Sequence, residues 1–293
     1  MRKPLLLIFT NAALVLAAFG LLAQSLFVVR RVARVQKIEG DVSVQRSGAS
    51  TFTPLKAGET LRKGDTVRTS PGSSAEFRWL DGTRWKLFPR SELTLREATV
   101  DARKPSEVSR LYLASGQILV RVAKPLASTS SFEVETLNSV IKSQGQIFRV
   151  AMRPGTDLIS VFKGNVAVSS MNSPASVLVN SGIQATEINK KWSLKPQDDQ
   201  STVLAHPEFF RPILEAEVQK GVDGNALLQG QTEPQSRVSI GGKPIPVAEN
   251  GSFSHSVALA PGKNQWKIQS TDSYGATATI EKSLDMETHC PTP

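Results

Sequence analysis

The chain has 293 residues, 40% of them hydrophobic and 21% charged. That balance excludes a disordered protein and leaves room for two self-supporting domains. The net charge of +9 is uneven: residues 1–204 hold 28 Lys and Arg against 16 Asp and Glu, and residues 205–293 hold 7 against 10. A composition break near residue 204 therefore follows a basic half that lacks the dense Lys/Arg block of a nucleic-acid binder, and no nucleic-acid partner is expected.

The first segment, Met1–Arg31, opens with Arg2 and Lys3 and then runs from Leu5 to Val29 without a charge. A spanning helix needs about 20 apolar residues, whereas a cleavable signal peptide usually has about 7–15. Residues 1–34 are thus expected to be an N-terminal membrane anchor, crossing as one helix over residues 5–29. If the leader is cleaved instead, at Ala18-Phe19-Gly20 or Ala23-Gln24-Ser25, the protein is secreted. The cations on the far side, Arg30, Arg31, Arg34 and Lys37, outnumber Arg2 and Lys3. Taken alone they favour a cytoplasmic C-terminal side, although a large domain can cross regardless of such charges.

Past residue 34 the hydrophobic period is two. "DVSVQ", "TVRTS", "AEFRWL", "ILVRVA", "SFEVET", "IFRVAM", "LISVFK" and "VAVSS" alternate or run β-branched, separated by Gly, Pro, Asn, Asp or Ser, which predicts an all-β module. A pentapeptide recurs in it: "GDVSV" (40–44), "GQILV" (116–120) and "GNVAV" (164–168). Its glycine supplies a positive-φ turn, and its third and fifth residues point to one face of a strand that begins there. Gly40, Gly116 and Gly164, with Gly82, Gly145 and Gly251, are therefore read as structural turn residues.

The hairpin "AEFRWLDGTRWKLF" (75–88) can be read in register. A two-residue Asp81-Gly82 loop would mix apolar and cationic residues on one face. A three-residue Leu80-Asp81-Gly82 loop pairs Phe77 with Trp85 and Ala75 with Leu87, which keeps one face apolar. It also sets Glu76 opposite Lys86 and Arg78 opposite Arg84 on a face expected to be wet. Arg78, Arg84 and Lys86 are the candidate partner contacts, and Trp79 and Trp85 are assigned to the core.

These residues resemble the exported domain of the FecR family. "GDVSV" leads into "PLKAGETLRKGDTVRTSPGSSAEFRWLDGT", similar to that family's Leu-x-x-Gly turn, Gly-Asp turn, Thr-x-x-Gly-Ser-Ala and Asp-Gly-Thr. "VSRLYLASGQILVRV", "FEVETLNSVIKSQGQIFRV", "VFKGNVAV" and "VLVNSGIQATEI" continue the likeness to about residue 190. At Gly145-Gln146-Ile147-Phe148-Arg149-Val150 the family's glycine, aromatic and Val are kept, and its Thr-Glu pair is not. The resemblance implies a twisted, short solenoid-like stack of strands over residues 35–194, exported to the periplasm. Because only Met1–Pro4 precede the apolar segment, the family's cytoplasmic anti-sigma arm is not expected to carry over.

Residues 195–219 read as a linker with one docking turn at Phe209, Phe210, Ile213 and Leu214. Residues 220–286 follow with strands at "ALLQG", "RVSI", "PIPV", "SFSHSVAL", "QWKIQST" and "TATIEK", and 287–293 form a tail. The spaced Gly230, Thr232, Pro234, Asn250-Gly251, Pro261-Gly262 and Asp272 resemble bacterial Ig-like domains, which implies a β-sandwich.

Neither a nucleophile motif nor a phosphate loop is present, and the histidines have no metal-ligand spacing. The paired carboxylates Glu133/Glu135 and Asp198/Asp199 sit in a strand and a linker, away from any acid–base geometry. No catalytic residue, metal or cofactor is expected. The sequence is read as a non-enzymatic bacterial cell-envelope protein, anchored in the inner membrane, whose two β-modules bind an envelope protein or a cell-wall glycan. Two alternatives stand beside it: a signal-sensing regulator acting through a separate membrane partner, and a carbohydrate-binding component of an exported enzyme system.

Overall fold

The structure, a computed structural model, describes residues 28–101, 106–123, 130–143, 147–197, 200–221, 224–273 and 275–286. The first unit holds β1 (Val28–Arg30), β2 (Ala33–Glu39), β3 (Val42–Gln45), β4 (Thr53–Pro54), β5 (Thr60–Leu61), β6 (Thr66–Thr69), β7 (Ser74–Arg78), β8 (Arg84–Leu87), β9 (Glu92–Asp101) and β10 (Ser106–Ser115). It continues with β11 (Gln117–Arg121), β12 (Ser131–Glu135), β13 (Ser139–Ser143), β14 (Ile147–Arg153), β15 (Thr156–Lys163), β16 (Asn165–Ser170), β17 (Ser176–Asn180), β18 (Ile183–Ile188) and β19 (Lys191–Pro196). A connector follows, with a short helix α1 (Gln200–Ala205) and a 3-10 turn (Pro207–Phe210). The second unit is β20 (Leu214–Lys220), β21 (Asn225–Thr232), β22 (Arg237–Ile240), β23 (Lys243–Ile245), β24 (Ser252–Ala258), β25 (Gly262–Thr271) and β26 (Thr277–Met286).

The described residues are all-β apart from the connector, and the first unit is a wide two-sheet sandwich. A ten-stranded sheet runs β17-β16-β13-β12-β10-β9-β6-β3-β4 with β1 added on β9. A nine-stranded sheet runs β19-β18-β15-β14-β11-β8-β7-β2-β5. One contiguous core joins the inner faces, from Val35 and Val44 through Phe77, Trp85, Phe132 and Phe148 to Val179. Each sheet hides one face, which is why the strands alternate with period two.

Each copy of the repeated pentapeptide lies where the chain changes sheets. Gly40 lies between β2 of the nine-stranded sheet and β3 of the ten-stranded one, Gly116 between β10 and β11, and Gly164 between β15 and β16. Their φ values are +73°, +84° and +74°. The residues after them point inward as expected: Val42 and Val44, Ile118 and Val120, Val166 and Val168 are all buried. At Gly116 a Cβ would collide with the side chain and backbone of Ser91. The close approach lets the Ser91 hydroxyl accept from Gln117 N at 2.9 Å and close the corner. The corner between β8 and β9 has no glycine, and Arg90 adopts φ +57° there. Gly145 lies outside the described residues.

Two expected boundaries are corrected. Val28–Arg30, assigned to the anchor and in part to its helix, form β1 and pair antiparallel with Thr99–Asp101 of β9. Strand β6 covers only Glu92–Thr94 of β9, so the far half of β9 offers a free edge to a β-branched segment. The first 27 residues lie outside the described part, and no described helix is long and apolar enough to cross a membrane.

The expected linker over 195–219 is shorter, because β19 extends to Pro196 and β20 begins at Leu214. β20 pairs along its full length with β21, from Leu214↔Thr232 to Lys220↔Ala226. It sends Leu214, Ala216 and Val218 into the second core.

That second core, with Leu228, Val238, Phe253, Trp266 and Ile268, lies between a three-stranded sheet β20-β21-β24 and a four-stranded sheet β23-β22-β25-β26. Glu249-Asn250-Gly251 form a three-residue loop. Gly251 N donates to Ala248 O and Ala248 N to Ser252 O, both at 2.8 Å.

Candidate functional site at the junction of the two sandwiches

Strands β7 and β8 pair Ala75↔Leu87, Glu76↔Lys86, Phe77↔Trp85 and Arg78↔Arg84, the register the apolar pattern predicts. Trp79 N donates to Thr83 O at 2.8 Å and Gly82 N to Trp79 O at 3.1 Å, with Gly82 at φ +87°. On the inner face the rings of Phe77 and Trp85 stack at 5.4 Å, and Trp79 lies 4.6 Å from Trp85 and 5.7 Å from Phe132. The tryptophans are core residues.

The outer face of this hairpin is partly covered rather than the wet surface expected. The connector and the second sandwich cover it. Lys86 is buried and donates to Glu76 at 3.0 Å. Arg78 pairs with Glu215 of β20 at 2.9 Å. The Arg84 guanidinium donates to the carbonyls of Glu208, Phe209 and Arg211 at 2.9, 3.1 and 2.6 Å and lies 5.1 Å above the Phe209 ring. Burial pushes the Arg84 pKa down to about 10, against the pull of Glu233. The three candidate partner contacts thus engage this chain's own hairpin, connector and second unit.

An apolar patch explains why the connector lies down here. On the same outer face Leu119 and Ile147 are buried together with Phe209, and Phe88, Phe162 and Phe210 pack against them. Phe162 and Phe210 meet edge to face at 5.2 Å. Burying one such ring contributes about 1.5–3 kcal/mol, enough to hold a short connector in place.

The residue that fastens the units most firmly is Arg121, at the end of β11. It is fully buried, and so are both its partners from the second sandwich. Nε and Nη2 donate to the two oxygens of Glu233 at 3.1 and 2.7 Å, and Nη2 also reaches Asp272 at 2.5 Å. Burial alone lowers the Arg121 pKa, but Glu233 and Asp272 outweigh it and the net shift is upward. A buried arginine with one partner removed is costly, and the bidentate fork satisfies two of its donors in fixed geometry. Gly82 lets the hairpin tip fit against this cluster: a Cβ there would lie 2.9 Å from Glu233 Cγ and 3.3 Å from Ala123 Cβ.

Sequence reading missed Arg121. Its signal was the cation inside "ILVRVA", which an alternating strand places on the face shared with Leu119, where it needs a counter-charge.

Between the units lies a cleft of about 450 Å³ bordered by Glu76, Arg78, Arg84, Glu208, Arg211 and Glu215. Its three cations face three carboxylates, so it offers no net charge for an ionic ligand. Glu133 and Glu135 are taken up in ion pairs with Arg110 at 3.1 and 2.9 Å. Asp198 and Asp199 lie outside the described residues. Among the described residues no group of three or more His, Cys, Asp or Glu is placed to hold a metal ion.

A family model described as FecR protein matches residues 65–167, from the start of β6 into β16. The match is narrower than the stretch over which the sequence motifs run. It includes the hairpin, Arg121 and two of the three pentapeptide glycines, Gly116 and Gly164. No curated protein matches the chain.

Among solved structures, one described as a candidate anti-sigma factor from Parabacteroides distasonis ATCC 8503 is 17% identical. It covers 48% of this chain and 64% of its own, with a TM-score of 0.39. A second structure so described, from the same organism, is also 17% identical and covers 53% and 67%, with a TM-score of 0.38. A polysaccharide lyase covers 85% of this chain and 39% of its own, at 8% identity and a TM-score of 0.20.

Proposed function

We propose that this is a non-enzymatic bacterial cell-envelope protein that presents a FecR-like sandwich and an Ig-like sandwich, locked together as one rigid body, to a protein partner outside the cytoplasmic membrane. The observation that carries the reading is the buried Arg121–Glu233–Asp272 cluster. A pair of modules tethered by a free linker has no use for a desolvated charge cluster between them, whereas a scaffold that must hold binding surfaces at fixed separation does. The strand order of the second unit supports the Ig-like assignment. Its first, second and fifth strands form one sheet, and its third, fourth, sixth and seventh form the other, the division found in Ig-type sandwiches with an added fourth strand.

The FecR match over residues 65–167 favours a regulatory use of this scaffold: an envelope signal received on the rigid body is passed to a separate membrane partner. Glycan binding is the lesser reading, because the cations that would draw an acidic glycan, Arg78, Arg84 and Lys86, are spent within the chain. In the proposed arrangement the apolar segment ahead of β1 anchors the protein in the inner membrane and the bulk lies in the periplasm.

The test is protease treatment of intact spheroplasts, with mass spectrometry of the mature N-terminus and crosslinking in cells. A protease-accessible body with an intact leader, crosslinked to a membrane protein, supports the proposal. A body protected in spheroplasts and digested only after lysis overturns it.

A further inference from the structure

The nine-stranded sheet ends at β19, and among the described residues no strand pairs with its far side. We propose that this edge is a strand-addition site for an extended segment of a partner protein in which apolar and acidic residues alternate. The inference rests on the partner-binding reading above and names the surface and the chemistry of the partner.

The residues of β19 divide cleanly between the two faces. Leu194 pairs with Ala185 and Trp192 with Glu187. Ala185 belongs to the core, so Leu194 and Trp192 share its inward face. Trp192 is partly covered by that core, but Leu194 is 48% exposed although it points inward. At this edge an inward-facing leucine has its sheet neighbour Ala185 on one side only. Lys191, Ser193 and Lys195 occupy the outward face. Lys191 and Lys195 are exposed, as is Lys190 in the preceding turn, and none of the three makes an ion pair among the described residues. Cations on the ten-stranded sheet are placed differently: Arg68 pairs with Glu92 and Arg96 with Glu135.

An incoming strand keeps the pleat of the sheet, so its side chains on each face lie next to those of β19. Apolar residues would cover Leu194, and carboxylates would lie opposite Lys191 and Lys195. The backbone groups along the edge supply affinity, and the side-chain pattern supplies selection. A second copy of this chain is disfavoured. Antiparallel self-pairing centred on Ser193 sets each Lys191 against a Lys195, and like charges directly opposite are destabilising. The lysines therefore reject self-pairing while admitting an acidic partner. Pro196, with no N–H to donate, ends the usable edge.

The probe is a labelled, end-blocked peptide of about seven residues alternating Val and Glu, with a Val/Lys peptide as comparator. Anisotropy and amide hydrogen exchange are read on the purified full-length protein. The Val/Glu peptide is expected to bind saturably, to bind more weakly as salt rises, and to protect amides of β19. In the double variant Lys191→Glu/Lys195→Glu its affinity should fall roughly tenfold and that of the Val/Lys peptide should rise. Leu194→Ser should weaken binding. Leu178→Ser, an exposed position on the edge strand β17 of the other sheet, should not.

The proposal is overturned if the Val/Glu peptide does not bind, if the double variant binds both peptides as the wild type does, or if Leu178→Ser abolishes binding. It is also overturned if the protein is a dimer that Leu194→Ser dissociates, since a second copy then owns the edge. A spheroplast result that places the body in the cytoplasm would sink the envelope reading and leave the peptide result standing.

Discussion

The nine-stranded sheet carries outward-facing cations at two places, on its central strands and along its β19 edge, and they have opposite fates. Around β7, β8 and β11 the cations are Arg78, Arg84, Lys86 and Arg121, and their counter-charges and acceptor carbonyls come from within the chain. Glu76 lies across the hairpin; the connector carbonyls, Glu215, Glu233 and Asp272 lie in the C-terminal part. Around β19 the cations are Lys190, Lys191 and Lys195, and nothing described answers them. Both places read alike along the sequence, as basic residues on one face of a strand. Whether such a face is an internal joint or an external surface depends on where the covalently attached carboxylates end up, which strand periodicity does not record.

Variants at the junction and at the open β19 edge should therefore behave very differently. Arg121→Ala leaves Glu233 and Asp272 buried without their partner and should cost about 3–5 kcal/mol in denaturant unfolding. A change below about 1 kcal/mol would mean that the cluster does not lock the units. Phe209→Ala empties the patch under the connector and should cost about 3 kcal/mol, with new proteolytic cleavage between β19 and β20. Gly82→Ala forces a non-glycine residue into positive φ at about 1–2 kcal/mol and drives its Cβ toward Glu233 Cγ, so the loss should appear both in melting temperature and in exposure of the junction.

A pH series sharpens the contrast on the first sandwich itself. Hydrogen bonds to Glu39 from Lys37, then from Ser74, hold its carboxyl near a pKa of about 2, below its ordinary 4.5. A depressed folded pKa stabilises above the unfolded value and is lost as pH falls through the folded one. Because Glu39 is half exposed, Glu39→Gln should cost well under about 1 kcal/mol at neutral pH. The difference from wild type should close between pH 4.5 and about 2 in thermal melts. Smallest of all, Lys191→Ala/Lys195→Ala at the open β19 edge should change stability by no more than about 0.5 kcal/mol. A larger loss would show that these lysines are already engaged.

Much of the fold was legible because its rules are local. The apolar alternation of Ala75, Phe77, Trp85 and Leu87 admits one register that buries a single face, and the structure has it. The pentapeptide announces a positive-φ turn entering a buried strand at Gly40, Gly116 and Gly164. That each such turn is a change of sheet could not be read locally, since a turn that continues one sheet and a corner that crosses to another use the same glycine. Strand β20 was missed because Pro207, Pro212 and the paired phenylalanines gave its neighbourhood the look of a linker. The alternation of Leu214, Ala216 and Val218 was the signal to follow. Strand β1 was missed because a β-branched end to an apolar run reads as helix until a free edge is found for it.

The all-β class, the turn positions and the inward side of each strand can be read along the chain, because they depend on backbone sterics and on keeping water from one face of a pleat. That Arg84 and Arg121 hold the two units together, and that Lys191 and Lys195 face outward unanswered, follows from the packed fold. Those outcomes depend on meetings between residues more than a hundred positions apart, and the strength of an ion pair is set by the solvent its surroundings exclude rather than by the residues that form it.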